Sequence, residues 1–161
     1  MIINRHIETR TLREYACSRR PDPRGFIVTT NTKVLVTGSA GGVGKAVCAA
    51  LMQTGHVVHG FDRLQTPDVH EAVIGDIVDR AAVNAACAGM DAIIHLAATP
   101  DEADFIDELI EPNVRGLFHI CDAAREQRVP RLILTSSVQV VSGHRFGDLI
   151  RVEDGPRVVN H

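Results

Sequence analysis

The segment Thr37-Gly38-Ser39-Ala40-Gly41-Gly42-Val43-Gly44 constrains the fold of this chain more than any other feature. It follows a short β-branched run, Lys33 to Thr37, that reads as a buried strand. It precedes a helical pattern in which Val43, Val47 and Leu51 fall four apart, closed by Gly55 as a C-terminal cap. A glycine loop between strand and helix is a phosphate cradle. Gly38 permits the tight turn off the strand, Gly41 lets backbone approach a pyrophosphate, and Gly44 lets the helix pack close to the strand. The helix start adds free N–H groups and a partial positive charge. Lys45 raises the alternative of a nucleoside triphosphate loop, but the spacing of that motif is wrong and Ala46 stands where its hydroxyl residue belongs. A plain glycine-rich turn in an α/β domain is the competing reading.

An acid in the right place favours the dinucleotide. Val57 to Asp62 reads as a second strand, and Asp62 ends it about 20 residues past the loop, where a carboxylate receives the adenosine ribose hydroxyls. A carboxylate there repels a 2′-phosphate, so NAD is expected over NADP, with Arg63 beside it softening that preference. Asp62 as a solvated loop acid is the bland alternative. Ala40, Gly42 and Val43 complete the expected cofactor contacts in the loop.

The remaining pattern alternates. Ala72 to Gly75 reads as a brief third strand, Asp79 to Ala88 as an alanine-rich helix and Asp91 to Leu96 as a fourth strand. A long helical stretch follows from about Glu102 to Arg128, with Val114, Leu117, Phe118, Cys121 and Ala124 on one face. Pro112 predicts a kink or a fresh helix start there. Arg131 to Thr135 reads as a fifth strand. The alternation predicts an α/β fold, a Rossmann-type parallel sheet of about five strands in the order 3-2-1-4-5 with helices on both faces.

Residues 1–32 read as a separate segment. They carry six arginines against Glu8, Glu14 and Asp22, together with Pro21, Pro23 and Gly25. The expectation is a basic, poorly ordered N-terminal extension ahead of a domain over 33–161. It lacks the apolar core of a secretion signal, and its acids argue against organelle import. The whole chain has a net charge of −3, which gives no pull toward nucleic acid or an anionic membrane. No apolar run approaches the ~20 residues of a membrane span. Cys17, Cys48, Cys87 and Cys121 are scattered, and the eight histidines show neither HxxxH nor HExxH spacing. Reduced thiols in a cytoplasmic protein, with no metal, are the expectation.

Taken together, these motifs resemble the extended short-chain dehydrogenase/reductases, the NAD-dependent epimerase/dehydratase group, from Lys33 to His161. The Thr-Gly-x-x-Gly-x-x-Gly spacing is that group's form of the loop. Gly75-Asp76-Ile77 resembles its adenine-contacting acid after the third strand, although a simple turn acid fits equally. His95-Leu96-Ala97-Ala98 resembles the segment whose backbone lines the cofactor, with His95 a packing residue. Asn113-Val114-Arg115-Gly116 resembles its asparagine-containing helix, which implies that Asn113 braces backbone. The run Leu134 to Val141 resembles the strand end bearing the active-site serine, which hydrogen-bonds the reacting oxygen. Ser137 matches that position best and Ser136 second, and Val141 replaces a common tyrosine. Ile150 to Asp154 and the approach to Asn160-His161 are similar to uronate-dehydrogenase-like members, which oxidise the anomeric carbon of a sugar acid.

The resemblance also implies a Tyr-x-x-x-Lys pair whose lysine and cofactor charge lower the tyrosine's pKa. The sequence has one tyrosine, Tyr15, and two lysines, Lys33 and Lys45. The expectation is therefore the NAD-binding portion of an NAD-dependent sugar-nucleotide or sugar-acid epimerase, dehydratase or dehydrogenase, cut before the pair and without turnover as an isolated chain. The adenine half of NAD is expected to be held and the nicotinamide half held loosely. A non-catalytic NAD-binding module, acting as a sensor or as a subunit completed by a partner, and a decayed remnant are the alternatives. Strand five is expected to be an exposed edge, leaving edge-strand association or a homodimer open.

Overall fold

Val34 and Val36 point to one side of the first strand and Leu35 to the other, and all three are buried, so this strand needs cover on both faces. The computed structural model, which describes residues 31–145, 147 and 149–157, supplies that cover. The arginine-rich leader up to residue 30, with Tyr15 and Cys17, and the terminal Asn160-His161 lie outside the described residues.

Strand β1 (Lys33–Thr37) is central. It pairs in parallel with β2 (Val57–Asp62) and β4 (Ala92–His95). The outer pairs are β2 with β3 (Glu71–Ile74) and β4 with β5 (Leu132–Leu134), also parallel. The resulting order is β3-β2-β1-β4-β5, as the alternation of elements predicts. Asn31 and Thr32 already belong to this unit: the Asn31 N–H donates to the Gly55 carbonyl, and the Val57 N–H donates to the Thr32 carbonyl.

Helix α1 (Gly42–Gln53) covers one face, packing Cys48 against Val34, Val36, Val58 and Ala92. It ends as the sequence suggests: the Gly55 N–H donates to Met52 and the His56 N–H to Leu51, a Schellman closure around Thr54. Helices α2 (Arg80–Cys87) and α3 (Gly116–Glu126) cover the other face, where Leu35, Phe61 and Ile93 meet Val83, Cys87, Ile120 and Ala124. Asp79 caps α2 by accepting from the Ala81 and Ala82 N–H groups.

Three expectations need correction. In α1 the fully buried line is Gly44 and Cys48, with Val47 and Leu51 only partly buried, and Val43 is 67% exposed. The fresh start expected at Pro112 comes after it: a wide-turned π-helix over Phe105–Arg115 contains Pro112, and α3 starts at Gly116. Proline has no N–H to donate, and here the stretch around it takes i→i+5 bonds, such as Gly116 N–H to Glu111 carbonyl. The expected face of α3 is also rotated. Gly116, His119, Ile120, Ala123 and, as expected, Ala124 are buried, while Val114, Phe118 and Cys121 are exposed and Leu117 is half-buried. The cause is a contact with a remote segment: a Cβ at position 116 would strike the Ile77 side chain, and His119 bonds the Ile77 carbonyl, so α3 is docked by those positions.

Strand β5 is an edge among the described residues, with Ile133 and Leu134 nearly half exposed. Beyond it come two short 3-10 turns, Val138–Val141 and Val152–Asp154, tied by the Arg157 N–H to the Val140 carbonyl. No helix among the described residues is long and apolar enough to cross a membrane.

Candidate cofactor cleft

The sheet's strand order reverses between β1 and β4, and the loops leaving their carboxyl ends diverge there to leave a crevice. The cleft found at this point has a volume of about 370 Å³. On the β1 side the chain turns at Gly38 with φ +70°, where a Cβ would collide with the Ala97 backbone 2.7 Å away. A Cβ at Gly44 would fall on the Gly38 carbonyl, so α1 approaches its own loop as closely as backbone allows. At Gly42 a Cβ would meet nothing within 4 Å, because that position faces the open cleft. Gly41 is the N-cap and offers no capping side chain, so the first N–H groups of α1 are turned to the cleft without an intrahelical acceptor. Val43, on the solvent side of the same turn, forms part of the wall.

Asp62 closes the β2 side. Its carboxylate accepts from the Ala40 N–H at 3.0 Å and from the Leu64 N–H at 3.0 Å, which joins the glycine loop to the loop carrying Arg63. Below them the Ser39 and Thr66 hydroxyls are hydrogen-bonded to each other in the buried space over Gly60. Asp76 and Ile77 line the far end, and one Asp76 oxygen accepts from the Val78 N–H at 3.1 Å.

The β4 side is set by Thr37. Its hydroxyl accepts from the Leu96 and Ala97 N–H groups, both at 3.3 Å, and so donates its one proton to His95 Nδ1 at 2.7 Å. Burial pushes the His95 pKa down, which keeps the ring neutral and able to accept that proton. The segment Leu96-Ala97-Ala98 is thereby fixed along the cleft. Asn113, from the wide-turned helix, clasps the next residue: its Oδ1 accepts from the Thr99 N–H at 2.8 Å and its Nδ2 donates to the Thr99 carbonyl at 3.1 Å.

The structure thus gathers Gly38, Gly41 to Gly44, Asp62, Arg63, Asp76, Ile77 and Leu96 to Ala98 around one cleft, with Ala40 just behind it through its bond to Asp62. It does not bring the serines there. Ser137 N-caps the turn after β5, its Oγ accepting from the Gln139 N–H at 3.2 Å, and both Ser136 and Ser137 are exposed and off the cleft lining. The sequence reading misses Phe61, Gly75, Thr99, Pro100 and Pro112 as lining. Phe61 carries no readable signal, since it is spaced as a core residue of β2; Pro112 stands beside Asn113 and could have been found through it. Among the described residues no group of three histidines, cysteines or acids is placed to hold a metal.

Comparison with known proteins agrees with this geometry. Residues 34–153 match the model of the NAD dependent epimerase/dehydratase family. A uronate dehydrogenase of Pseudomonas putida is 36% identical over 122 residues, covering 73% of this chain and 45% of that protein. Uronate dehydrogenase from Agrobacterium tumefaciens, solved as a mutant complexed with NAD, superposes with a TM-score of 0.65 at 30% identity, covering 71% of this chain and 44% of that one. A short-chain dehydrogenase/reductase superfamily protein from Agrobacterium tumefaciens with bound NAD gives a TM-score of 0.66 at 38% identity, over 73% of this chain and 36% of that one. The chain therefore spans less than half the length of these relatives.

Proposed function

This chain belongs to the NAD dependent epimerase/dehydratase family, and from that premise we propose that it is the cofactor-binding portion of an NAD-dependent enzyme of sugar acids or sugar nucleotides, of the uronate dehydrogenase kind. The N–H groups at the start of α1, from Gly42 to Gly44, receive the pyrophosphate. Asp62 receives the adenosine ribose hydroxyls with the lone pairs that Ala40 and Leu64 leave free, and its charge sets NAD ahead of NADP despite Arg63. Asp76 and Ile77 take the adenine, and the Leu96 to Ala98 backbone leads toward the nicotinamide. When bound, NAD supplies the hydride acceptor of the family's chemistry.

One observation carries this reading: the Asp62 carboxylate and the open helix start face the same cleft at the reversal point of the sheet. Among the described residues the titratable side chains lining that cleft are Asp62, Arg63 and Asp76. We propose that the isolated chain binds the cofactor without turnover, and that Ser137, or Ser136 second, is its one residue of the family's chemistry. That same lining favours the second reading, a non-catalytic NAD module completed by a partner. Buried Cys48 and Cys87 suit a reducing compartment, and we place the protein in the cytoplasm.

Calorimetric titration of the 161-residue chain with NAD, with NADP, and with NAD after Asp62→Ala tests the proposal. Saturable NAD binding, weaker for NADP and for the variant, is the expected result. No binding by a chain shown to be folded would overturn it.

A further inference from the structure

The adenine end of the cleft is held from behind by α3. His119 is buried, and its Nδ1 lies 3.2 Å from the Ile77 carbonyl. A carbonyl oxygen only accepts, so Nδ1 carries the proton and donates. The other end of the same peptide unit, the Val78 N–H, donates to Asp76 Oδ1 at 3.1 Å. The 77–78 peptide is therefore fixed at both ends, by a side chain of α3 and by the carboxylate that faces the cleft. At the start of α3, Gly116 lies so close to Ile77 that an added Cβ would sit 2.6 Å from its Cγ2, so the helix also fixes the Ile77 side chain. Ile77 is 6% exposed and lines the cleft.

We propose that His119 is a positioning residue for adenine recognition, orienting the Asp76-Ile77 segment so that the free carboxylate oxygen of Asp76 meets the 6-amino group of the base. The inference rests on the NAD reading above. His119 touches no cofactor itself. It acts by removing one rotation: with the Ile77 carbonyl anchored, Asp76 keeps one oxygen on Val78 and presents the other to the cleft. Without the anchor the peptide can turn and the carboxylate loses its aim, while the ribose and phosphate contacts at Asp62 and α1 stay in place.

The test compares NAD with nicotinamide hypoxanthine dinucleotide, which carries a carbonyl where adenine has its amino group. Both are titrated into the wild-type chain, His119→Leu and His119→Asn. The wild type is expected to prefer NAD by about tenfold, the worth of one charge-assisted hydrogen bond. His119→Leu is expected to bring the two affinities within about twofold by weakening NAD alone. His119→Asn places an N–H at the same bond distance from the backbone and is expected to restore the preference. An unchanged preference in folded His119→Leu, or equal affinities in the wild type, overturns the assignment. Should the leucine variant fail to fold, nitrogen NMR of the wild-type imidazole decides. A proton on Nδ1 whose signal moves with NAD but not with nicotinamide mononucleotide supports the role, and a proton on Nε2 alone overturns it. If the folded wild type binds neither dinucleotide, the NAD reading itself has failed.

Discussion

The Asp62 carboxylate accepts the Ala40 N–H at 3.0 Å, so the residue at the end of β2 holds the glycine loop that follows β1. One side chain thus shapes the phosphate cradle and stands ready for the ribose. Asp62→Asn keeps the size and one acceptor but loses the charge. It is expected to lower NAD affinity roughly tenfold, the loss of a charge-assisted bond, and to narrow the gap to NADP. Parallel titrations with both cofactors check this; a variant with an unchanged NAD to NADP ratio would sink it.

Two glycines of the same loop are expected to respond oppositely to alanine. At Gly44 the new Cβ has only backbone to strike, so Gly44→Ala should cost about 3 kcal/mol or more in urea unfolding, at the upper end of overpacking. At Gly42 the Cβ enters open space, so Gly42→Ala should leave stability within about 1 kcal/mol of wild type while obstructing cofactor entry. Equal stabilities for the two would refute the close packing of α1 on its loop.

His95 gives the fold an acid dependence. Burial lowers its folded pKa below the ordinary 6.5. As pH falls through that value the unfolded chain takes up a proton that the folded chain refuses, so stability is present above it and declines below it, until the folded pKa is reached. His95→Gln should flatten this part of the pH–stability curve. The Thr37 hydroxyl would also lose its ring acceptor. Denaturation midpoints between pH 7 and pH 5 make the comparison.

Thiol chemistry should follow burial. Burial pushes the Cys87 thiol up to about 11 and raises that of Cys48, leaving both protonated and inaccessible. Cys121 is exposed on α3. Brief alkylation followed by peptide mapping is expected to modify Cys121 well before Cys48 or Cys87. Early labelling of Cys87 would show that the face under α2 and α3 opens easily.

Much of this architecture is legible in the order of residues because its causes are local. A β-branched run followed by glycines and an amphipathic helix forces a strand, a turn and a crossover, and helices after the first, third and fourth of five strands leave little choice of topology. Gly38, Gly41, Gly44 and Asp62 are readable for the same reason: each answers a backbone or charge requirement at a fixed distance along the chain. What the tertiary structure decided is which side chains act on segments remote in sequence. The rotation of α3 could not be read from its own periodicity, because Val114, Phe118 and Cys121 make as apolar a stripe as Gly116, His119, Ile120 and Ala123. The choice between them is made by Ile77, 42 residues from His119 in the chain. The wide turn at Pro112 and the clasp of Asn113 on Thr99 likewise depend on contacts between segments. Periodicity reports which residues can be buried, and only a partner surface fixes which of them are.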